Sequence, residues 1–554
     1  MTALLTDNLP LLAGAPNGIK KLRELILELA VRGKLVPQDP SDEPASELLK
    51  RIVEEKARLV AEGKIKKQKS LPEVEEEEKP YALPLSWKWV RFDVISNTRL
   101  GKMLDKAKNK GELRPYLRNT NVQWFNFEID DLKSMRFEEH ELDEYRVNPG
   151  DLVICEGGEP GRCAVWQGEA EDMFIQKALH RARPWSGVSP FFLQFCLKAA
   201  AHSGFLDQFF TGATIKHFSG EKLAKYPVPL PPLAEQHRIV AKVDELMALC
   251  DRLEAQQADA ESAHAQLVQA LLDSLTQATD FAASWQRLAE HFHTLFTTEL
   301  SIDALKQTLL QLAVMGKLVP QDPSEEPASE LLKRIAKEKA RLVAEGKIRK
   351  TKQLPEITDN DKVASTPNGW ESVRFGQVIE LISGQHLGPD EYFESTRDGA
   401  IPYLTGPADF GETYPRPTRF TNERRATSIK GDILLTVKGA GVGKTNFVDQ
   451  DEFAISRQLM AIRPIIVDAQ FARNMLLSMS AHFHSKSIGI AIPGISREDV
   501  LDTLIGIPPL PEQHRIVAKV DQLMALCDQL KIRLTQARQL NEQLTTVLVE
   551  QAVA

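Results

Sequence analysis

The sequence predicts an α+β chain made by internal tandem duplication, in which two globular segments are separated by long, nearly invariant helices that pack on each other as a coiled coil. Three observations carry this. PPLAEQHRIVAKVDELMALC at 231–250 returns as PPLPEQHRIVAKVDQLMALC at 508–527, identical at 18 of 20 positions. Residues 30–73 return at 313–356 with 37 of 44 positions identical, at a constant offset of 283. The stretches framed by these copies share only short landmarks. The chain therefore reads A–B–C–A′–B′–C′. Conserved helical sequence is expected over 1–80, 229–365 and 508–554, and globules over 81–228 and 366–507.

Each A region opens on an amphipathic helix, with Ile19, Leu22, Ile26 and Leu29 answering Ile302, Leu305, Leu309 and Leu312 at a spacing near 3.6. PQDPS breaks the chain, and SELLKRI begins a second helix that ends near Gly63 or Gly346. Basic clusters follow, Lys64 to Lys69 and Lys347 to Lys352, read as solvated charge at a helix C-terminus. EVEEEEK at 73–79 reads as a linker.

The B segments open alike, SWKWVRF at 86–92 and GWESVRF at 369–375. Both place a strand after a Gly-Asp turn, GDLVI at 150–154 and GDILL at 431–435. Both close in register, Ala178-Leu179 through Arg183-Pro184 against Gln458-Leu459 through Arg463-Pro464. Short β-branched runs with frequent Gly and Pro indicate α+β globules. In C, steps of four and three from Ile239 give Val243, Leu246, Cys250, Leu253, Gln257, Ala260, His264, Leu267 and Leu271. C′ repeats this from Ile516 to Leu548, the 3.5-residue seam of a coiled coil.

Composition bounds the function. At 554 residues the chain holds several domains, and it has no apolar run long enough to span a bilayer. MTALLTDNLP lacks the features of a signal peptide, and the five cysteines show no CxxC spacing, so a reduced cytoplasmic setting is expected. KGAGVGKT at 438–445 approaches a P-loop, but the first Gly position is Lys438, and EGGEPGRCAV at 156–165 repeats the turn without the motif. Both are read as Gly-rich turns between strands. Pro231-Pro232 and Pro508-Pro509 lack the Asn/Asp and aromatic neighbours of an amino-methyltransferase loop. The HxH pairs at 291–293 and 482–484 have no third ligand nearby in sequence. No catalytic residue, metal site or cofactor site is visible.

Binding is visible. The net charge of −8 argues against a nucleic-acid partner, yet residues 99–118 hold seven basic and two acidic side chains. RNTNVQWF follows at 118–125, and residues 416–430 hold five basic and one acidic. Lys and Arg neutralise phosphates, while Asn, Gln and Arg bond base edges. Each cluster alone is more often a solvated face; one in each globule points to DNA.

LPPLAEQHRIVAKVDELMALCDRL at 230–253 with its partner at 510–530, EKARLVAEGKIKKQKSLPE at 55–73 and the W-x-x-VRF openings give a resemblance over essentially the whole chain. It resembles the specificity subunit of a type I restriction–modification enzyme. The resemblance implies that the two globules are target-recognition domains, each reading half of a split, asymmetric site on double-stranded DNA. It implies that the helices pair antiparallel and dock two modification subunits, which carry S-adenosylmethionine and methylate adenine. Two restriction subunits, with ATP and Mg, would add translocation and cleavage. No base-contacting residue carries over by motif. Charge and location single out Lys102, Lys106, Arg118, Asn119, Asn121 and Gln123 in B, and Gln385, Arg424, Arg425 and Lys444 in B′. A self-sufficient DNA-modifying enzyme and a coiled-coil scaffold that never touches DNA are the rival readings.

Overall fold

A computed structural model describes residues 12–63, 65, 71–105, 107–350, 354–358, 366–487 and 494–553. The chain divides into two units, residues 1–259 with 537–554, and residues 260–536.

In the first unit, α1 (Gly18–Val31) and α2 (Ala45–Ala61) precede the globule. Helix α1 buries Leu22, Leu25, Ile26 and Leu29. It stops at Gly33, whose φ of 69° suits glycine, with the Lys34 amide returning to the Leu29 carbonyl at 2.9 Å. A Cβ there would also meet the Pro84 ring. The second unit repeats this in α5 (Glu299–Val314) and α6 (Ala328–Ala344), with Gly316 at φ 68° against Pro367.

Strand β1 (Lys88–Arg91) opens the first globule and pairs antiparallel with β9 (Pro227–Leu230), which closes it. The clasp sets the end of the globule at Leu230, so the expected boundary at 228 falls inside a strand. Between them, β2 (Ser96–Leu100), β8 (Leu179–Pro184), β5 (Leu152–Cys155) and β6 (Cys163–Val165) form an antiparallel sheet in that order. A three-stranded sheet sets β3 (Glu112–Leu117) between β4 (Lys133–Phe137) and β7 (Phe174–Ile175), and β3 runs parallel to β7. Helix α3 (Pro190–His202) packs on α1.

The second globule repeats the plan. Strand β10 (Glu371–Arg374) clasps β19 (Leu504–Ile507). The antiparallel sheet runs β11 (Ile379–Ser383), β18 (Leu459–Pro464), β15 (Ile433–Thr436), β16 (Thr445–Phe447). The smaller sheet runs β13 (Phe420–Thr421), β12 (Ile401–Leu404), β17 (Phe453–Ile455), β14 (Thr427–Ser428), and β12 is parallel to β17. Helix α7 (Ala469–Ser478) packs on α5.

A bidentate ion pair locks each main sheet. Arg183 reaches both oxygens of the buried Asp151 at 2.7 Å, and Arg463 reaches those of Asp432 at 2.8 Å. These are the Asp of each Gly-Asp turn and the Arg of each closing Arg-Pro, which explains why both landmarks recur. Burial raises the Asp432 carboxyl above its ordinary range, and Arg463 opposes that rise.

The long helices are α4 (Leu233–Gln277) and α8 (Leu510–Val553). Each starts after its Pro pair, where a missing amide costs little, and the Gln236 and Gln513 amides bond the Pro232 and Pro509 carbonyls. In the first unit, Ile239, Val243 and Cys250 of α4 share a core with Val549 and Ala552 of α8. In the second, Val268 and Leu272 of α4 share a core with Leu523 and Cys527 of α8. Within each unit the start of one long helix thus meets the end of the other, the antiparallel order. The seam shifts, however. Leu267 and Leu544, expected in it, are 52% and 45% exposed, while the next residues, Val268 and Thr545, are buried. A straight helix drifts about 20° per heptad against a 3.5 repeat, so the apolar stripe keeps a spacing near 3.6 and moves by one residue in both copies.

The joint between helix and globule explains the EQ of the repeated motif. Glu235 accepts from the Trp87 indole at 2.9 Å and from Gln38 at 2.5 Å. Glu512 accepts from Trp370 at 3.1 Å and from Gln321 at 3.2 Å. Gln236 and Gln513 accept the Ser189 and Asp468 amides at the starts of α3 and α7. Helix, PQDPS turn and globule meet at one buried carboxylate in each unit.

Candidate nucleic-acid interface

Parallel strands end at the same edge, so the β3·β7 pair delivers two turns to one place. The Leu117 carbonyl accepts the Gln176 amide, which sets residues 118–121 beside the turn 176–178. The end of β2 joins them, because the Gly101 amide bonds the Leu179 carbonyl and the Lys102 amide bonds the Ile175 carbonyl. A Cβ at Gly101 would overlap the Gln176 carbonyl, so only glycine permits this approach. The Gly-rich turn 156–162 completes the edge, with Arg162 donating to the Asn119 carbonyl at 2.9 Å.

The second globule builds the same edge from different side chains. The Leu404 carbonyl accepts the Ser456 amide, the Gly384 amide bonds the Leu459 carbonyl, and the Gln385 amide bonds the Ile455 carbonyl. Gly384 lies against the Ser456 carbonyl as Gly101 does against Gln176. Residues 438–444 turn here as 157–162 do. Gly161 and Gly443 have φ of 89° and 87°, and their amides bond the Cys155 and Thr436 carbonyls. KGAGVGKT is thus the strand-to-strand turn that its spacing suggested, between β15 and β16.

The candidate residues divide. Asn119 and Arg118 lie on the first edge. The Arg118 guanidinium is 24% exposed and held by the Asp131 carboxylate, whose pKa sits below the usual carboxylate range under the influence of Lys133 and Arg118. Gln123 is partly buried beside them and bonds the Thr120 carbonyl. Gln385 and Lys444 are exposed on the second edge.

Others do not fit the expected role. Asn121 is buried, and its side chain bonds the Arg118 amide and the Glu128 carbonyl, closing the loop rather than facing out. Lys102 is buried against Glu141 and the Arg136 carbonyl. Although burial works against it, the Lys102 ammonium keeps the Glu141 carboxyl below its ordinary range. Both side chains are spent within the globule, so neither is presented to a duplex. Arg424 and Arg425 lie elsewhere: Arg424 pairs with Glu452 and reaches the Gly399 carbonyl, ahead of β12, and Arg425 pairs with Glu391 and Glu423. The local excess of basic residues in the sequence overlooked Glu141, Glu391 and Glu452, which are distant along the chain. Lys106 lies outside the described residues.

Sequence reasoning passed over Lys177, Lys438 and Arg457, all exposed on these edges. The signal was available: Lys177 and Arg457 stand two residues ahead of the matched closing strands. Burial pushes the Cys155 thiol beside this edge up to about 11, with Arg162 opposing the rise, so that thiol stays protonated at neutral pH. Among the described residues, no three His, Cys, Asp or Glu side chains are grouped to hold a metal ion. No helix among them is long and apolar enough to cross a membrane.

Each unit holds a globule of the same plan, closed by a two-stranded clasp next to the start of a long helix. The type I restriction modification DNA specificity domain matches residues 84–261 and again 367–539. The type I restriction enzyme EcoAI specificity subunit of Escherichia coli is 38% identical over 97% of this chain and 94% of its own length. The EcoEI specificity subunit, also of Escherichia coli, is 37% identical over the same shares. A solved HsdS subunit from Thermoanaerobacter tengcongensis is 21% identical, covering 86% of this chain and 98% of its own, with a TM-score of 0.43. The chain belongs to the type I restriction–modification specificity family. It is a DNA-recognition subunit and not a catalytic one.

Proposed function

We propose that the chain reads a split, asymmetric site on double-stranded DNA, one half with each globule, and positions two modification and two restriction subunits there. One observation supports this above the rest: the same backbone edge is built twice, with Arg118 and Asn119 in one copy where the other has Thr405 and Gly406. Identical geometry with different side chains suits two readers of unlike half-sites, since base contacts specify and the frame only positions. Assembly as a subunit follows the naming of the type I restriction enzyme relatives. On this reading S-adenosylmethionine belongs to the modification subunits, ATP and Mg to the restriction subunits, and the complex works in the cytoplasm.

The test is binding by the complex of this chain with its modification subunits, measured on duplexes with and without the methylated site across a salt series. The expected result is tight, salt-sensitive binding that prefers the site; binding without preference contradicts the reading. Calorimetric titration of the purified chain with S-adenosylmethionine should show no uptake, and stoichiometric uptake would favour a self-sufficient enzyme.

A further inference from the structure

The duplication makes an internal comparison possible at every position of the two edges. Most matched residues have a structural task. Ile175 and Ile455 are buried in the parallel pairs, Leu179 and Leu459 in the main sheets, and Tyr116 and Tyr403 pair across to Phe174 and Ala454. Gly101 and Gly384, or Gly161 and Gly443, are fixed by close approach or by φ. Asp151 and Asp432 hold the ion pairs with Arg183 and Arg463.

Lys177 and Arg457 match without such a task. Each occupies the middle of the turn that leaves the parallel strand, between Gln176 and Ala178 in one copy and Ser456 and Gln458 in the other. Both side chains are exposed, and neither forms an ion pair or side-chain hydrogen bond with any described residue. On the first edge the neighbouring arginines behave otherwise: Arg118 is tied to Asp131 and Arg162 to Glu159. On the second, Lys438 and Lys444 are exposed like Arg457 but have no counterpart at a matched position of the first turn that is likewise a free cation. Lys and Arg are 69 of 554 residues, so composition alone does not place a cation at both positions. Their kinds differ, a compact ammonium against a planar guanidinium. What is shared is positive charge, the property a phosphate reads, and not hydrogen-bonding geometry, the property a base edge reads.

Resting on the reading of the two edges as DNA readers, we infer that Lys177 and Arg457 are equivalent positioning residues, each neutralising a backbone phosphate beside its own half-site. They fix where the globule sits on the duplex, and the divergent residues around them choose the sequence. The unpaired state of both side chains fits this role, because an ion pair with the protein would have to be broken before a phosphate could be met.

The experiment uses the complex with the modification subunits and the variants Lys177→Ala, Arg457→Ala, the double variant, and the charge-keeping Lys177→Arg and Arg457→Lys. Binding is followed by fluorescence anisotropy on the specific duplex and on an unrelated one, across a salt series. Each alanine variant should weaken binding to both duplexes by the same factor and flatten the log–log salt slope by about 0.9. The double variant should flatten it by about 1.8, and the charge-keeping variants should restore the wild-type slope. An unchanged slope in both single variants overturns the inference, as does a changed ratio between the two duplexes, which would mark a base contact. Loss of the modification subunits on gel filtration also overturns it, by showing that these cations serve protein assembly. If the wild-type complex shows no salt-sensitive binding, it is the DNA-reading role that fails, a result separable from all of these.

Discussion

At the joint, Trp87, Gln38 and Glu235 make the same contacts as Trp370, Gln321 and Glu512, whereas at the edge Arg118 and Asn119 stand where the second globule has Thr405 and Gly406. Both regions were copied by one duplication. The joint atoms close buried hydrogen bonds, and replacing any one of them leaves a partner without an acceptor or donor. The edge side chains surround a backbone frame that closes its own bonds, so they are free to change without unfolding the globule. Sameness therefore marks where structure constrains the chain, and difference marks where it is left to recognition. Lys177 and Arg457 stand apart because they agree where structure asks for nothing.

The strongest way to break this comparison is to attack what the copies share. Asp432→Ala removes the bidentate partner of Arg463 and should cost about 3 kcal/mol, the low end for opening a buried pair, because Glu380 still faces Arg463 at 2.8 Å. Asp151→Ala should cost less, since the Arg183 side chain is 37% exposed and water can take up its charge. Thermal unfolding of the two variants orders them; an equal or reversed loss would contradict the burial argument.

At the joint, Glu235→Ala leaves the Trp87 indole and Gln38 without their acceptor, a loss of about 1–3 kcal/mol. Burial raises the Glu235 carboxyl above its ordinary 4.5, with Trp87 and Gln38 opposing the rise. The folded chain therefore holds that proton more tightly than the unfolded one. This group's contribution to stability is full below about 4.5 and declines as pH rises through the raised value. The substitution should accordingly lower the unfolding midpoint more at pH 4.5 than at pH 8. A loss that grows with pH would count against the assignment. Glu512 is raised for the same reason and should behave alike.

The smallest effect is expected at Arg424. Its partner Glu452 and its side chain are partly or fully open to water, so Arg424→Ala should change stability by less than about 0.5 kcal/mol. As it lies away from the edge, the salt dependence of DNA binding should also stay as it is. A flatter slope would return Arg424 to the interface.

The duplicated helices, their stops and the two globules were legible because they rest on local patterns: apolar spacing, glycine, proline and repeated words. The seam was legible through Leu253 and Leu534 and slips at Leu267 and Leu544, since a heptad template cannot register the slow drift of a straight helix. Much of the edge was illegible. A run rich in Lys and Arg carries no information about which of them will meet Asp131, Glu141, Glu391 or Glu452, brought close only by folding. Lys177 and Arg457 sit in short turns with no local charge excess, and only alignment of the two copies brings them out.

The central claim is that one globule reads one half of the site. Its most direct measurement is methylation-site sequencing in cells carrying the complete system, after residues 81–230 are replaced by the matching globule of another family member. That exchange keeps the β1·β9 clasp whole. One half of the methylated sequence should change and the other half stay. A change in both halves, or in neither, would contradict the claim.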